Sequence, residues 1–224
     1  MKKIYLLLFV AFFQFTACKE YSDGTQLPYV APVVDDESLQ DLLGQTNWSP
    51  TPVADGIVWK HFQFPTIFGS RQYINIFDID LSKNVTIDIP FAGQGKFFTV
   101  SEAGEQVQAD VAINGSYFGT NYGSSTTYYR KNGTLIGPTV AGFDSFRENS
   151  AFVINAAGKP SVVKKPAGGW DQVDAPFVLA GGPLLVFEGK EVEQFDQTFN
   201  TLRHPRTAVG ITADNHLIML VVDG

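Results

Sequence analysis

Thr207-Ala208-Val209-Gly210-Ile211-Thr212-Ala213-Asp214-Asn215-His216-Leu217-Ile218-Met219-Leu220-Val221-Val222-Asp223-Gly224 is the stretch that decides the fold. Two apolar, β-branched runs flank Asp214-Asn215, a turn-forming pair, so the segment reads as a β-hairpin. Its second arm, Leu217 to Val222, is apolar at every position, the signature of a strand buried on both faces. A buried strand with no further chain to cover it reads as part of a longer protein, so the natural chain is expected to continue past Gly224.

Working outward, the same grammar repeats. Ile57 to Phe64 and Gln72 to Leu81 alternate apolar and polar residues with aromatic and β-branched enrichment. Val85 to Pro90 and Gln106 to Ile113 read as further short strands. Tyr128 to Ile136 turns at Asn132-Gly133, a strong hairpin signal. Phe152 to Val163 turns around Gly158, and Phe177 to Val192 bends at Gly181-Gly182-Pro183 and again at Glu188-Gly189. Helical periodicity is scarce: Asp35 to Leu43 predicts a short helix, with Asp35 or Asp36 as N-cap and Gly44 at its end. Ser101 to Gln106 gives one turn at most. The expected fold is therefore α+β, a mixed, mostly antiparallel sheet domain with few helices, truncated at its C-terminus.

Composition narrows the class of function. The 224 residues are 44% apolar and 17% charged, which suits one packed domain with a short appendage. Lys and Arg number 16 against 23 Asp and Glu, a net charge of −7, which argues against a nucleic-acid partner. One cysteine excludes a disulfide framework and a multi-cysteine metal site, and three histidines leave little for a His-rich one. No metal or cofactor is expected.

The N-terminus reads as a leader. Lys2-Lys3 precede a nearly unbroken apolar run from Ile4 to Phe15, too short to span a bilayer but fitting a secretory core. Phe15-Thr16-Ala17-Cys18 follows, and small residues before the sole cysteine resemble a bacterial lipobox. On this reading residues 1–17 are a signal peptide and Cys18 is lipidated, anchoring a secreted protein in the outer membrane through several acyl chains. Lys19-Glu20 behind it resembles the surface-export signal of Bacteroidetes lipoproteins. Residues 18–55 form a tether with the short helix, its Asn47–Asp55 end a Pro-containing linker. The domain proper, 56–224, starts at Gly56.

Four clusters carry candidate chemistry. Arg203-His204-Pro205-Arg206-Thr207 sets two guanidiniums and an imidazole within four residues; forked arginines match phosphate oxygens, and histidine can donate or accept a proton. The same spacing fits an ion-paired surface loop. Asn114-Gly115-Ser116-Tyr117-Phe118 places an amide at a sharp turn, which also fits a plain turn. Ala180-Gly181-Gly182-Pro183-Leu184 admits close backbone approach to a ligand, or a β-bulge. Asp223 sets a carboxylate at the end of a buried strand, or forms a simple Asp-Gly turn. Trp48, Trp59 and Trp170 are possible sugar platforms, although core packing is the better reading of Trp59.

Taken together and in order, Ala112-Ile113-Asn114-Gly115-Ser116-Tyr117-Phe118, Ala180-Gly181-Gly182-Pro183-Leu184-Leu185, Arg203-His204-Pro205-Arg206-Thr207-Ala208-Val209-Gly210 and Val221-Val222-Asp223-Gly224 resemble the phosphodiester glycosidase domain family. The resemblance runs from about Gly56 to Gly224, and its His-Pro-Arg-Thr segment is the most specific part. Family members usually carry Gly where Ser116 stands, and follow Asp-Gly with an Arg, a helix and an Asn-Leu-Asp-Gly-Gly-Gly-Ser-Thr type motif that these residues lack. The resemblance implies a hydrolase that cleaves the bond between a sugar's anomeric carbon and a phosphodiester, releasing sugar and a phosphomonoester. It implies Asp223 and His204 as catalytic candidates, and Asn114, Gly115, Gly181, Gly182, Arg203, Arg206 and Thr207 as substrate-binding ones. A sugar-phosphodiester or phosphorylated glycan is the expected partner. The competing reading is a non-catalytic glycan-binding surface lipoprotein.

Overall fold

The structure, a computed structural model, describes residues 36–119, 124–142, 146–194 and 198–224. The expected signal peptide, the lipidation site Cys18, the start of the tether and the candidate N-cap Asp35 lie outside them. In chain order the elements are α1 (Asp36–Gln45), β1 (Ser49–Ala54), β2 (Ile57–Ile67), β3 (Ser70–Asp80), α2 (Val100–Val107), β4 (Phe118–Gly119), β5 (Ser124–Ser125), β6 (Tyr129–Lys131), β7 (Thr134–Gly137), β8 (Ser150–Ile154), β9 (Pro160–Lys164), β10 (Phe177–Gly181), β11 (Val186–Phe187), β12 (Lys190–Glu191), α3 (Thr198–Thr201), β13 (Arg206–Ile211) and β14 (His216–Val222). Single 3₁₀ turns occupy Phe146–Glu148 and Trp170–Gln172.

Two five-stranded sheets carry the fold, in the orders β1-β2-β3-β14-β13 and β7-β6-β10-β8-β9. Every pairing among the described strands is antiparallel. The last hairpin thus joins the first across more than a hundred residues, with β14 beside β3 and Leu217 opposite Ile79.

The apolar run in β14 is explained by a sheet with a core on each side. Leu217 and Met219 face a cluster with Ile57, Phe77, Ile79 and Ile211, which Phe152 of the second sheet also enters. Leu220 and Val222 face the other way, onto Phe62, Phe64, Ile74 and the helix residues Leu39 and Leu43. Burial is less complete than the run suggests. Leu217 is fully buried, whereas Ile218 to Val222 are half-buried, because only β13 separates β14 from the sheet edge. The second sheet has its own core of Tyr128, Ala151, Val153, Trp170, Val178 and Ala180.

Four expectations are corrected. Asn47–Asp55 is not a linker: Ser49–Ala54 is the edge strand β1, paired with β2. Pro50 and Pro52 are two apart, so both missing N–H groups fall on the same, open side of the strand, where no ladder bond is lost. Gln106–Ile113 is not a strand, and Ser101 to Gln106 is more than one turn. Thr99-Val100-Ser101-Glu102 is a capping box that starts the eight-residue helix α2, with Glu102 N donating to Thr99 Oγ1 at 3.2 Å and Thr99 N to Glu102 Oε2 at 2.7 Å. The helix stops at Gln108 in the left-handed conformation, and the chain then runs irregularly to Asn114. Val85–Pro90 is extended but joins no sheet. Side chains hold it instead, since Ile89 O accepts from Tyr129 Oη at 2.8 Å and from Lys131 Nζ at 2.7 Å.

Candidate active site

Five segments that are distant in sequence meet beside β13 and β14. Thr207, one residue into β13, donates its hydroxyl to Asn114 Oδ1 at 2.6 Å, which ties the loop after α2 to the last hairpin. Asn114 and Gly115 are exposed and Thr207 is half-buried, so the amide–hydroxyl pair faces solvent. A methyl group at Gly115 would lie 3.2 Å from Leu179 Cδ2, so this loop sits directly on the second sheet.

Ser116 and Tyr117 carry the contact onward. Ser116 Oγ donates to Ala180 O, and Tyr117 Oη donates to Gly182 O at 2.7 Å. Gly181 O accepts from Ser150 Oγ at 3.1 Å. The carbonyls of the glycine pair are thus committed to hydroxyls of the protein itself. Gly182 is glycine for a packing reason: a Cβ there would lie 2.1 Å from Phe146 O and 2.7 Å from Asn149 Oδ1. The bare α-carbon admits the turn at 146–149, not open space.

That turn delivers a residue the sequence did not single out. Arg147 lies with its guanidinium carbon 4.7 Å from the Phe146 ring centroid and 5.6 Å from that of Phe199. Arg206 stacks on the same Phe199 ring at 4.5 Å. Its Nη2 donates to Phe199 O and to Leu202 O, the carbonyl end of α3, where a cation is favoured. Tyr117 also packs on Phe199, 5.8 Å between centroids. Burial pushes the Tyr117 hydroxyl's pKa up, and the charges of Arg147 and Arg206 pull the other way, so both guanidiniums act on one phenol. Among the described residues, Arg206 Nε and Nη1 take no protein acceptor.

The chain end closes the group. Asp223 continues β14, its N–H donating to Tyr73 O at 3.2 Å while its Oδ1 accepts from Tyr73 N at 2.5 Å. Asp223 is exposed. A Cβ at Gly224 would lie 2.7 Å from Pro205 N, which places the last residue against the His204-Pro205 backbone. His204 is exposed, and Arg203 is half-buried. The structure therefore gathers Asn114, Gly115, Gly181, Gly182, Arg206 and Thr207 through direct contacts, with His204 and Asp223 at the chain end beside them. Tyr117 and Phe199 join them as scaffold.

The other histidines lie elsewhere. His216 accompanies Lys60 and Asp78 at the polar end of the opposite sheet face, with His216 Nδ1 2.6 Å from Asp78 Oδ1. That hydrogen bond raises the imidazole's pKa. No group of three or more His, Cys, Asp or Glu is arranged to hold a metal among the described residues.

This gathering of segments falls within residues 108–224, and the phosphodiester glycosidase family profile matches that range. The match covers more than half of the chain, which belongs to the phosphodiester glycosidase family. No curated protein matches the chain. Among solved structures, the crystal structure of a hypothetical protein from Synechocystis is similar at a TM-score of 0.54 and 12% identity, over 79% of this chain and 52% of that one. That is a likeness of fold, and the chain spans about half the length of that protein.

Proposed function

We propose that the protein hydrolyses the bond between a sugar's anomeric carbon and a phosphodiester. Water oxygen joins the anomeric carbon, the carbon–oxygen bond to phosphorus breaks, and the products are a free sugar, a phosphomonoester and a proton. The observation that carries this reading is the packing of Arg206 and Arg147 on one aromatic ring beside the exposed Asn114–Thr207 pair. A phosphomonoester leaves readily, so the barrier lies in the oxocarbenium-like sugar and in the charge gathering on the departing phosphate. Guanidinium groups placed before the reaction begins stabilise that charge at little reorganisation cost. Arg206, with Nε and Nη1 unspent, clamps the phosphate, and Arg147 reinforces its field. Asn114 and Thr207 hold sugar hydroxyls, and His204 donates to a phosphate oxygen. Asp223 stabilises the cation or activates the water. The test is a panel of sugar-1-phosphodiesters: release of reducing sugar together with phosphomonoester supports the reading. Binding of glycans with no hydrolysis of any panel member would assign the site to a glycan-binding protein.

We also propose that the protein is a secreted lipoprotein held at the outer membrane through Cys18. Cys18→Ser should leave an unprocessed precursor or release the protein from membranes. Unchanged size and membrane retention on fractionation would sink this.

A further inference from the structure

The first sheet presents a row of side chains that ends at the candidate site. His61 pairs with Asn75, Asn75 with Val221, and Val221 with Thr207, across β2, β3, β14 and β13. Directly opposed residues point to the same face of a sheet. The face that carries Thr207 and its bond to Asn114 therefore also carries His61, Asn75 and, one row away, Trp59 and Tyr73. Burial falls off along this face. The innermost row, Ile57, Ile79 and Leu217, is closed. In the next, Trp59, Phe77 and Met219 are half-buried and Val209 is 38% exposed.

Trp59 is thus no core residue, contrary to the expectation from sequence; it belongs to none of the three apolar clusters. The core tryptophan is Trp170, and Trp48 packs on Phe62 and Phe64. Trp59 instead lies against the His61 ring, 4.4 Å between centroids and 30° between planes. Its Nε1 donates to Asn75 Oδ1 at 3.0 Å, and Tyr73 Oη is 3.1 Å from His61 Nδ1. The two rings are stacked on one another, and groups beside them hold the stack. Among the described residues, His61 Nε2, Asn75 Nδ2 and the exposed Gln63 side chain take no protein partner. A stacked aromatic pair rimmed by unspent donors and acceptors suits a neutral sugar, which offers C–H groups to the rings and hydroxyls to the rim.

We infer that Trp59, His61, Tyr73 and Asn75 form a saccharide subsite, on residues before the family-matched range. The inference rests on the proposed function for its direction. Three strand spacings of about 4.8 Å separate His61 from Thr207, roughly 14 Å in all. That reach exceeds one sugar ring. With the cleaved sugar at Asn114 and Thr207, the platform holds a second sugar unit on the glycone side, so the substrate is a phosphodiester of an oligosaccharide.

Two measurements separate this from the parent reading. Binding of neutral oligosaccharides, followed by tryptophan fluorescence and calorimetry, requires no turnover. Trp59→Ala should weaken it about tenfold, the scale of a lost aromatic contact. Trp59→Phe keeps a ring and should recover most of that affinity, with both variants melting as folded proteins. In hydrolysis, the wild type should prefer a disaccharide-1-phosphodiester over the monosaccharide one, and Trp59→Ala should erase the preference while leaving monosaccharide turnover near normal. Equal oligosaccharide affinity in wild type and folded Trp59→Ala overturns the subsite, even if hydrolysis is robust. Saccharide binding lost in Trp59→Ala, with no hydrolysis of any phosphodiester, keeps the subsite and overturns the parent reading.

Discussion

Arg206→Ala should lower kcat/KM on a sugar-1-phosphodiester by about 10²–10³, the cost of one preorganised donor to developing charge, roughly 3–4 kcal/mol. Its effect on stability should be far smaller. What the fold loses is the Nη2 contact with Phe199 O and Leu202 O and the stacking on Phe199. A net hydrogen bond of this kind contributes about 1 kcal/mol. Leu202 is exposed, so water can reach its freed carbonyl and the penalty stays near that figure. Arg206→Lys keeps the charge and loses the fork: its single ammonium can hold the α3 carbonyls or the phosphate, not both. It should recover part of the activity and most of the stability. The measurement pairs kcat/KM with the melting temperature. Near-normal turnover in Arg206→Ala would make this arginine a helix-end clasp, and the phosphate role would have to be withdrawn.

What could be read from sequence follows from where the determining forces are local. Hairpins at Asn132-Gly133, Gly158 and Asp214-Asn215 were legible because turn chemistry and strand alternation lie within a few residues of each other. The capping box at Thr99-Val100-Ser101-Glu102 was equally local, and attention to it would have found α2. The edge strand β1 was hidden because two prolines argue against a strand unless it is known which side faces solvent. The pairing of β14 with β3 was invisible, since nothing near either strand specifies a partner so distant in sequence. The same holds for the site. Asn114, Gly181, Arg206 and Asp223 stand in recognisable motifs. Arg147 has no motif and reaches Phe199 only because Gly182 lets the 146–149 turn approach. Trp59 was misjudged because alternation cannot tell a covered sheet face from an open one.

The turn that carries Arg147 is held by Glu148, and removing that carboxylate should produce the largest loss of stability predicted for this chain. Glu148 is completely buried. Its Oε1 accepts from Trp170 Nε1 at 2.7 Å, Thr139 Oγ1 at 2.8 Å and Lys165 Nζ at 2.8 Å, and its Oε2 from Tyr128 N at 3.0 Å. These four donors come from four separate segments, so one side chain fastens the turn, the second sheet and the Trp170 core together. Glu148→Ala leaves an indole N–H and a backbone N–H buried without acceptors, and Lys165 without its ion pair. Stranding one half of a buried pair costs about 3–5 kcal/mol. At roughly 2–4 °C per kcal/mol for a chain of this size, the melting temperature should fall by about 6–20 °C. Glu148→Gln separates shape from charge. Its amide oxygen can replace Oε1, but its NH₂ then opposes the Tyr128 N–H, so the loss should be smaller yet clear. Below its transition Glu148→Ala should still bind and turn over substrate poorly, because Arg147 and Phe146 are no longer pinned against Phe199 and Gly182. A melting temperature within about 2 °C of wild type, about 0.5–1 kcal/mol by the same conversion, would mean the four donors find other partners. The anchoring of the Arg147 turn by Glu148 would then be refuted.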